Sequence, residues 1–203
     1  MFWDKVAGVY DIFANFINGR THRELCARVS ELIKLDDDVL ECACGTGLIT
    51  LAVAPRCKSI IATDFSENML KRTRKKCSAL GNVSVKRADI MSLDYPDQNF
   101  DKVIAGNVIH LLDEPYKALS ELNRVCKDGG MLIIPTYMNK DRGGSTTRFA
   151  SAVGKAGADF KRQFTFETYK RFFEDAGYVG GSYTMIEGRV PCAIAVVYKK
   201  MPN

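Results

Sequence analysis

VLECACGTGLIT, residues 39–50, is the stretch whose reading decides the fold. An apolar run ends in the carboxylate Glu41. A loop of small residues follows through Ala43, Gly45, Thr46 and Gly47, and apolar residues resume at Leu48. A short strand that breaks into such a loop and re-enters a helix is the opening unit of an open α/β sheet. Ligands of these sheets lie beyond the carboxyl ends of the strands. Small side chains leave the loop backbone open to close approach by a bound molecule.

Working outward, the same rhythm repeats. DVLECA (38–43) reads as the first strand and LITLAVA (48–54) as a helix before Pro55. KSIIATD (58–64) is a second strand, followed by a helix that Ser66 caps and Gly81 stops. NVSVKRA (82–88) alternates like a third strand and FDKVIAGN (100–107) is a fourth. A helix over 114–126 follows, with Asp113 as its cap and Pro115 in its first turn, then a turn at Asp128-Gly129-Gly130 and a fifth strand, MLIIPTY (131–137). Strands alternating with helices imply a parallel sheet covered on both faces. After a helix at 165–178, VGGSYTMIEG and VPCAIAVVYKK are joined by a short turn with no crossover, so this pair must be antiparallel. The expected fold is a doubly wound, Rossmann-like sheet of about seven strands, mostly parallel and ending in an antiparallel hairpin.

The chain is read as one domain in four parts. Residues 1–36 hold two helical segments, 3–17 and 21–34, separated by Asn18-Gly19 and expected to act as a lid. Residues 37–137 are the core, 138–163 a Gly-, Ser- and Arg-containing lid insertion, and 164–203 the last helix and hairpin. A length of 203 residues with 46% hydrophobic and 26% charged content suits one soluble domain with a full core. No apolar run has the length of a membrane span, and the N-terminus lacks the pattern of a secretory signal. Seven irregularly spaced cysteines point to reduced thiols and a cytoplasmic location. Cys42 and Cys44 have no second Cys/His cluster to complete a zinc site, so no metal is expected. The net charge of +5 is spread out except in KRTRKKCSALG (71–81), read as a solvated helix face and not a nucleic-acid surface.

Spacing then separates the ligands that a glycine loop can take. A triphosphate loop needs a lysine after its last glycine, and none follows Gly47. A dinucleotide loop needs a third glycine, where this chain has Thr50. A nucleoside with an amino-acid tail and no phosphate needs an acid at the end of the first strand and a second at the end of the next, able to accept from both ribose hydroxyls. Glu41 and Asp64 stand at those two places.

VLECACGTG followed by IIATDFSENML, RADIMSL, FDKVIAGNVIHLLDEP and RVCKDGGMLII resembles the class I S-adenosylmethionine-dependent methyltransferases, in the type 11 branch that includes quinone-biosynthesis C-methyltransferases. The resemblance implies S-adenosylmethionine as cofactor and methyl transfer to a small molecule: a quinol, phenol, amine or lipid-like acceptor. It places Glu41 near the methionine amino group, with Ala43, Gly45 and Gly47 in the cofactor loop. Asp64 falls at the ribose, Phe65 and Met69 beside the adenine, and Asp89 with Ile90 at the adenine amino group. Asn107 falls beside the methionine part and Tyr10 in the covering N-terminal helix. Each also has a plainer reading: helix-end charges for Glu41 and Asp64, a turn former for Asp89, core for Phe65 and Met69, a strand end for Asn107. A binding protein without catalysis and an NAD-type oxidoreductase are the alternatives.

Methyl transfer from a sulfonium is an in-line displacement that needs no covalent protein nucleophile, although a general base helps when the acceptor loses a proton. His110, three residues past Asn107, is the candidate base; the chain has one other histidine, His22. GNVIHLL does not match the Asn/Asp-Pro-Pro-aromatic run of enzymes that methylate exocyclic amines of bases. Aromatic residues and cations in the two lid segments suit an apolar or anionic small molecule.

Overall fold

The structure, a computed structural model, describes residues 18–139 and 161–199. Its centre is a seven-stranded sheet formed by β1 (Asp38–Cys42), β2 (Ser59–Asp64), β3 (Val83–Arg87), β4 (Phe100–Ala105), β5 (Cys126–Tyr137), β6 (Ser182–Ile186) and β7 (Cys192–Tyr198). The strand order is β3-β2-β1-β4-β5-β7-β6. The first five strands run parallel, and β7 lies antiparallel between β5 and β6. The order reverses between β1 and β4, which puts the ligand crevice at the ends of those two strands.

Strand periodicity sorts side chains onto the two faces. Val39, Ile60, Ile104, Ile133 and Ile194 form one core with Leu25 and Val29 of helix α1 (residues 18–31) and Ile49 and Val53 of α2 (Leu48–Val53). Their neighbours in the strands, Leu40, Val103, Leu132 and Ala195, point the other way. They pack under Leu119 and Leu122 of α4 (Pro115–Val125) and Phe172 and Phe173 of α5 (Phe166–Asp175). Helix α3 (Glu67–Cys77) covers the β1–β2 region through Leu70, against Cys44 and Ala62. At the opposite end of the strands from the crevice, Lys102 and Asp37 form an ion pair at 3.1 Å, both nearly buried.

Three local expectations change. Asn18-Gly19 does not lie ahead of the second helical segment, because both residues are already helical at the start of the described part of α1. Asn18 is held by a two-way pairing, its side-chain amide donating to the Val190 carbonyl and its side-chain oxygen accepting from the Val190 amide. Asp128-Gly129-Gly130 is not a free turn but lies inside β5, which starts at Cys126. A Cβ on Gly130 would sit 2.7 Å from the Asp101 carbonyl, so only glycine lets the chain pass that close to β4. Asp113 does not cap α4; it pairs with Lys161 at 3.0 Å, and Glu114 occupies the cap position. Ser66 caps α3 as expected, accepting from the Met69 amide. The lid over 1–17 and the centre of the 138–163 segment lie outside the described residues.

Candidate active site

The loop between β1 and α2 is shaped by left-handed backbone: Ala43 at φ 54°, Gly45 at 55° and Gly47 at 83°. Glycine takes this conformation without the steric cost that a side chain adds. Space differs between the two glycines. A Cβ on Gly47 would press on Thr73 of α3 at 3.0 Å, whereas one on Gly45 would meet nothing within 4 Å. Gly47 is small for packing. Gly45 faces open space at the ligand side. Thr73 also donates to the Gly45 carbonyl at 2.8 Å, so α3 fixes the loop from below.

Glu41, at the end of β1, is 2% exposed and accepts a hydrogen bond from the Thr50 hydroxyl at 2.5 Å. Burial pushes its carboxyl up to about 8. The Thr50 bond works against that rise, and the negative charge of Asp64 adds to it. A buried acid in this state is receptive to a cation that would let it ionise.

Asp64, at the end of β2, accepts from the Gly45 amide and the Ser66 amide, each at 2.9 Å. It therefore ties the β1 loop to the start of α3. Phe65 is exposed, with the Arg87 guanidinium 4.8 Å from its ring centre. Met69 is buried on the inner side of α3. Asp89 lies past β3 and accepts from the Met91 amide at 2.9 Å, with Ile90 beside it.

At the end of β4, Asn107 takes a left-handed φ of 53°, and its amide donates to the Pro135 carbonyl. Its side-chain oxygen accepts from the Cys192 thiol at the start of β7. His110 lies in a 3-10 turn, Ile109–Leu111, and burial pulls its imidazole down to about 4. The chain's two histidines flank Tyr137, the last residue of β5. Each imidazole centre is 6.1 Å from the tyrosine ring centre, and His22 Nε2 lies 2.8 Å from the Tyr137 hydroxyl.

Residues 40–134 match the methyltransferase domain family. A phosphatidylethanolamine N-methyltransferase of Cereibacter sphaeroides is 33% identical to this chain over 156 residues, which span 75% of this chain and 72% of that protein. The chain is a class I S-adenosylmethionine-dependent methyltransferase. A demethylmenaquinone methyltransferase of Staphylococcus aureus is 28% identical over 226 aligned positions, covering 99% of this chain and 92% of its own length. The fold of an S-adenosylmethionine-dependent methyltransferase from Aquifex aeolicus superposes with a TM-score of 0.65 at 22% identity, covering 85% of this chain and 89% of that one.

The cofactor of this methyltransferase is S-adenosylmethionine, and the residues present fit it. A buried carboxylate suits the cationic end of the molecule, and open backbone at Gly45 admits a close ligand. The loop holds no lysine for a phosphate. Thr50 fills the place of the third dinucleotide glycine with a hydroxyl bonded to Glu41, which sets the NAD reading aside. Tyr10 lies outside the described residues. Glu41, Ala43, Gly45, Gly47 and Asp64 converge on one loop. Phe65, Asp89 and Ile90 line up past the ends of β2 and β3, and Asn107 and His110 follow β4. Sequence reasoning missed Thr50, Thr73 and the His22–Tyr137 pair. Thr50 was legible as a polar residue one helical turn past the loop; the other two depend on long-range packing.

Proposed function

We propose that this methyltransferase acts on a small hydroxylated aromatic acceptor, of the quinol or phenol kind, by in-line displacement. The observation that carries the proposal is the neutral aromatic wall at the tips of β4 and β5, formed by His110, Tyr137 and His22. Lys161 and Arg162, on the chain that enters the last helix, are engaged with Asp113 and with the carbonyls of Leu112 and Asp113. The full-length alignment with a demethylmenaquinone methyltransferase supports the same class.

S-adenosylmethionine supplies a methyl group on a positively charged sulfur that departs as a neutral thioether. Glu41 would hold its ammonium, and Asp64 would accept from its ribose hydroxyls in place of water. Phe65, Met69, Asp89 and Ile90 would bound the adenine, with the loop of Ala43, Gly45 and Gly47 beneath and Asn107 beside the methionine end. The protein's work is to hold acceptor and methyl carbon in line and to exclude water. With its imidazole near 4, His110 stays neutral at pH 7 and is a weak proton acceptor, so it serves better as wall than as base.

A second reading, an amino-alcohol phospholipid acceptor, is supported by the relative from Cereibacter sphaeroides. Among the described residues no helix is long and apolar enough to cross a membrane. An acceptor screen with methyl-labelled cofactor, covering quinols, phenols, amines and phospholipid dispersions, separates the two. Label in the quinol or phenol arm supports the proposal; label only in the phospholipid arm overturns it. S-adenosylhomocysteine should raise the melting temperature and NAD should not, since only a ligand of the folded state stabilises it.

A further inference from the structure

We propose that the cleft between the first described residues of α1 and the β6–β7 turn binds the phosphate group of a small ester, held by Arg20, Arg23 and Arg189. The site lies outside the cofactor loop, and the proposal does not depend on the acceptor class given above. The cleft has a volume of about 700 Å³, within the range of small-molecule sites. One wall is α1, where Arg20, Arg23 and Glu24 share a helix face by their i, i+3 and i+4 spacing. The other is the turn that follows Ile186 and carries Glu187, Gly188 and Arg189.

The two walls are fixed to each other. Asn18 and Val190 exchange two hydrogen bonds. A Cβ on Gly188 would sit 2.0 Å from the Thr21 hydroxyl oxygen, so only glycine lets the turn come this close to α1. The Arg23 guanidinium lies back over Gly19, with its Nη1 3.6 Å from where a Cβ would be. That draws its charge toward Asn18, where the turn packs.

Charge decides what this cleft takes. Among the described residues none of the three guanidiniums makes an ion pair or a side-chain hydrogen bond. Of the two carboxylates, Glu24 is already committed to Arg28 at 3.0 Å, which leaves Glu187 alone against three cations. An anion relieves the repulsion among them. Arginines reaching from two walls meet a ligand from different directions. A tetrahedral phosphate offers oxygen acceptors on every side and can take a fork from each wall, whereas a planar carboxylate offers one edge. The group alone fills a small part of the cleft, so the ligand class is a phosphate ester, with half-buried Met185 beside its organic part.

The test uses the full chain saturated with S-adenosylhomocysteine, so that the cofactor site is filled. Inorganic phosphate and glycerol 3-phosphate are titrated at constant ionic strength, and backbone amide resonances are followed by NMR. Shifts should be confined to residues 19–24 and 187–190, with a Kd on the order of 1 mM for glycerol 3-phosphate. Arg23→Gln combined with Arg189→Gln should weaken binding at least about tenfold. Arg171→Gln, at an exposed position of α5, should leave it unchanged. Melting temperatures report that each variant keeps its fold. A sedimentation arm with vesicles of phosphatidic acid in phosphatidylcholine separates the two sources of the ester. Capture of wild type but not of the double variant assigns the phosphate to a lipid. Binding of glycerol 3-phosphate without capture assigns it to a soluble ester. Soluble-probe shifts that are absent or fall elsewhere, together with vesicle capture that is absent or survives the double substitution, overturn the proposal. Soluble-probe binding that is as strong in the double variant overturns it as well.

Discussion

Thr50 gives its hydroxyl hydrogen to Glu41 across 2.5 Å, in a place where neither side chain reaches water. The pair turns one carboxylate at the tip of β1 into a charge reservoir. Its folded pKa, about 8, is raised from an ordinary 4.5. A raised acid binds more protons folded than unfolded, so its contribution is fully present below about pH 4.5 and is lost as pH climbs through 8. Glu41→Gln should flatten this part of the ligand-free stability profile and melt several degrees above wild type at pH 8, as read by calorimetry. If the cofactor ammonium meets Glu41, binding S-adenosylhomocysteine at pH 7 should release a proton. Titration calorimetry in buffers of different ionisation enthalpy measures it, and Glu41→Gln should abolish the release.

Asp64→Asn keeps the shape of the side chain and removes its charge. The Gly45 and Ser66 amides would lose a charged acceptor, and so would any ribose hydroxyl on the other side. The affinity for S-adenosylhomocysteine should drop roughly ten- to a hundredfold, about 1.5–3 kcal/mol for hydrogen bonds to a charged group. Equilibrium binding checks this, with the melting temperature as the control for folding.

Gly45→Ala and Gly47→Ala should fail in different ways. Both place a methyl group on left-handed backbone, a cost on the order of 1 kcal/mol. At Gly47 the methyl also collides with Thr73, so the loss should appear as a lower melting temperature, and Thr73→Ser should recover part of it. At Gly45 the methyl enters open space, so the melting temperature should fall only by the backbone cost, less than at Gly47, while cofactor affinity falls as well.

Lys102→Met removes the partner of a buried Asp37, whose side chain is 7% exposed. Leaving that charge uncompensated should cost about 3–5 kcal/mol in denaturant unfolding. Replacing both, Lys102→Met with Asp37→Asn, should return much of the loss.

The order of elements was legible because each strand carries its own signature. Val39-Leu40 and Ile60-Ile61 sit in apolar runs too short for a buried helix, and the glycine loop marks where the first strand ends. Leu132-Ile133-Ile134 shows the same signature in β5. Boundaries failed where tertiary contacts outweighed local preference. Asn18-Gly19 reads as a break, yet Val190 supplies Asn18 with two partners and both residues are helical in α1. Asp128-Gly129-Gly130 reads as a turn, yet the sheet absorbs it because Gly130 fits against the Asp101 carbonyl. In the site, Glu41, Asp64 and the loop glycines were visible as tip residues of adjacent strands. The His22–Tyr137 contact was not, since no local pattern encodes which helix residue meets the end of a strand 115 positions away.

β7 occupies an interior lane of the sheet although its residues, Cys192–Tyr198, come last among the strands. Until they have left the ribosome, β5 has a bare rim and β6 has nothing to pair with. The nascent methyltransferase therefore waits on this late strand, and a chain cut short before Cys192 would expose two sticky margins at once.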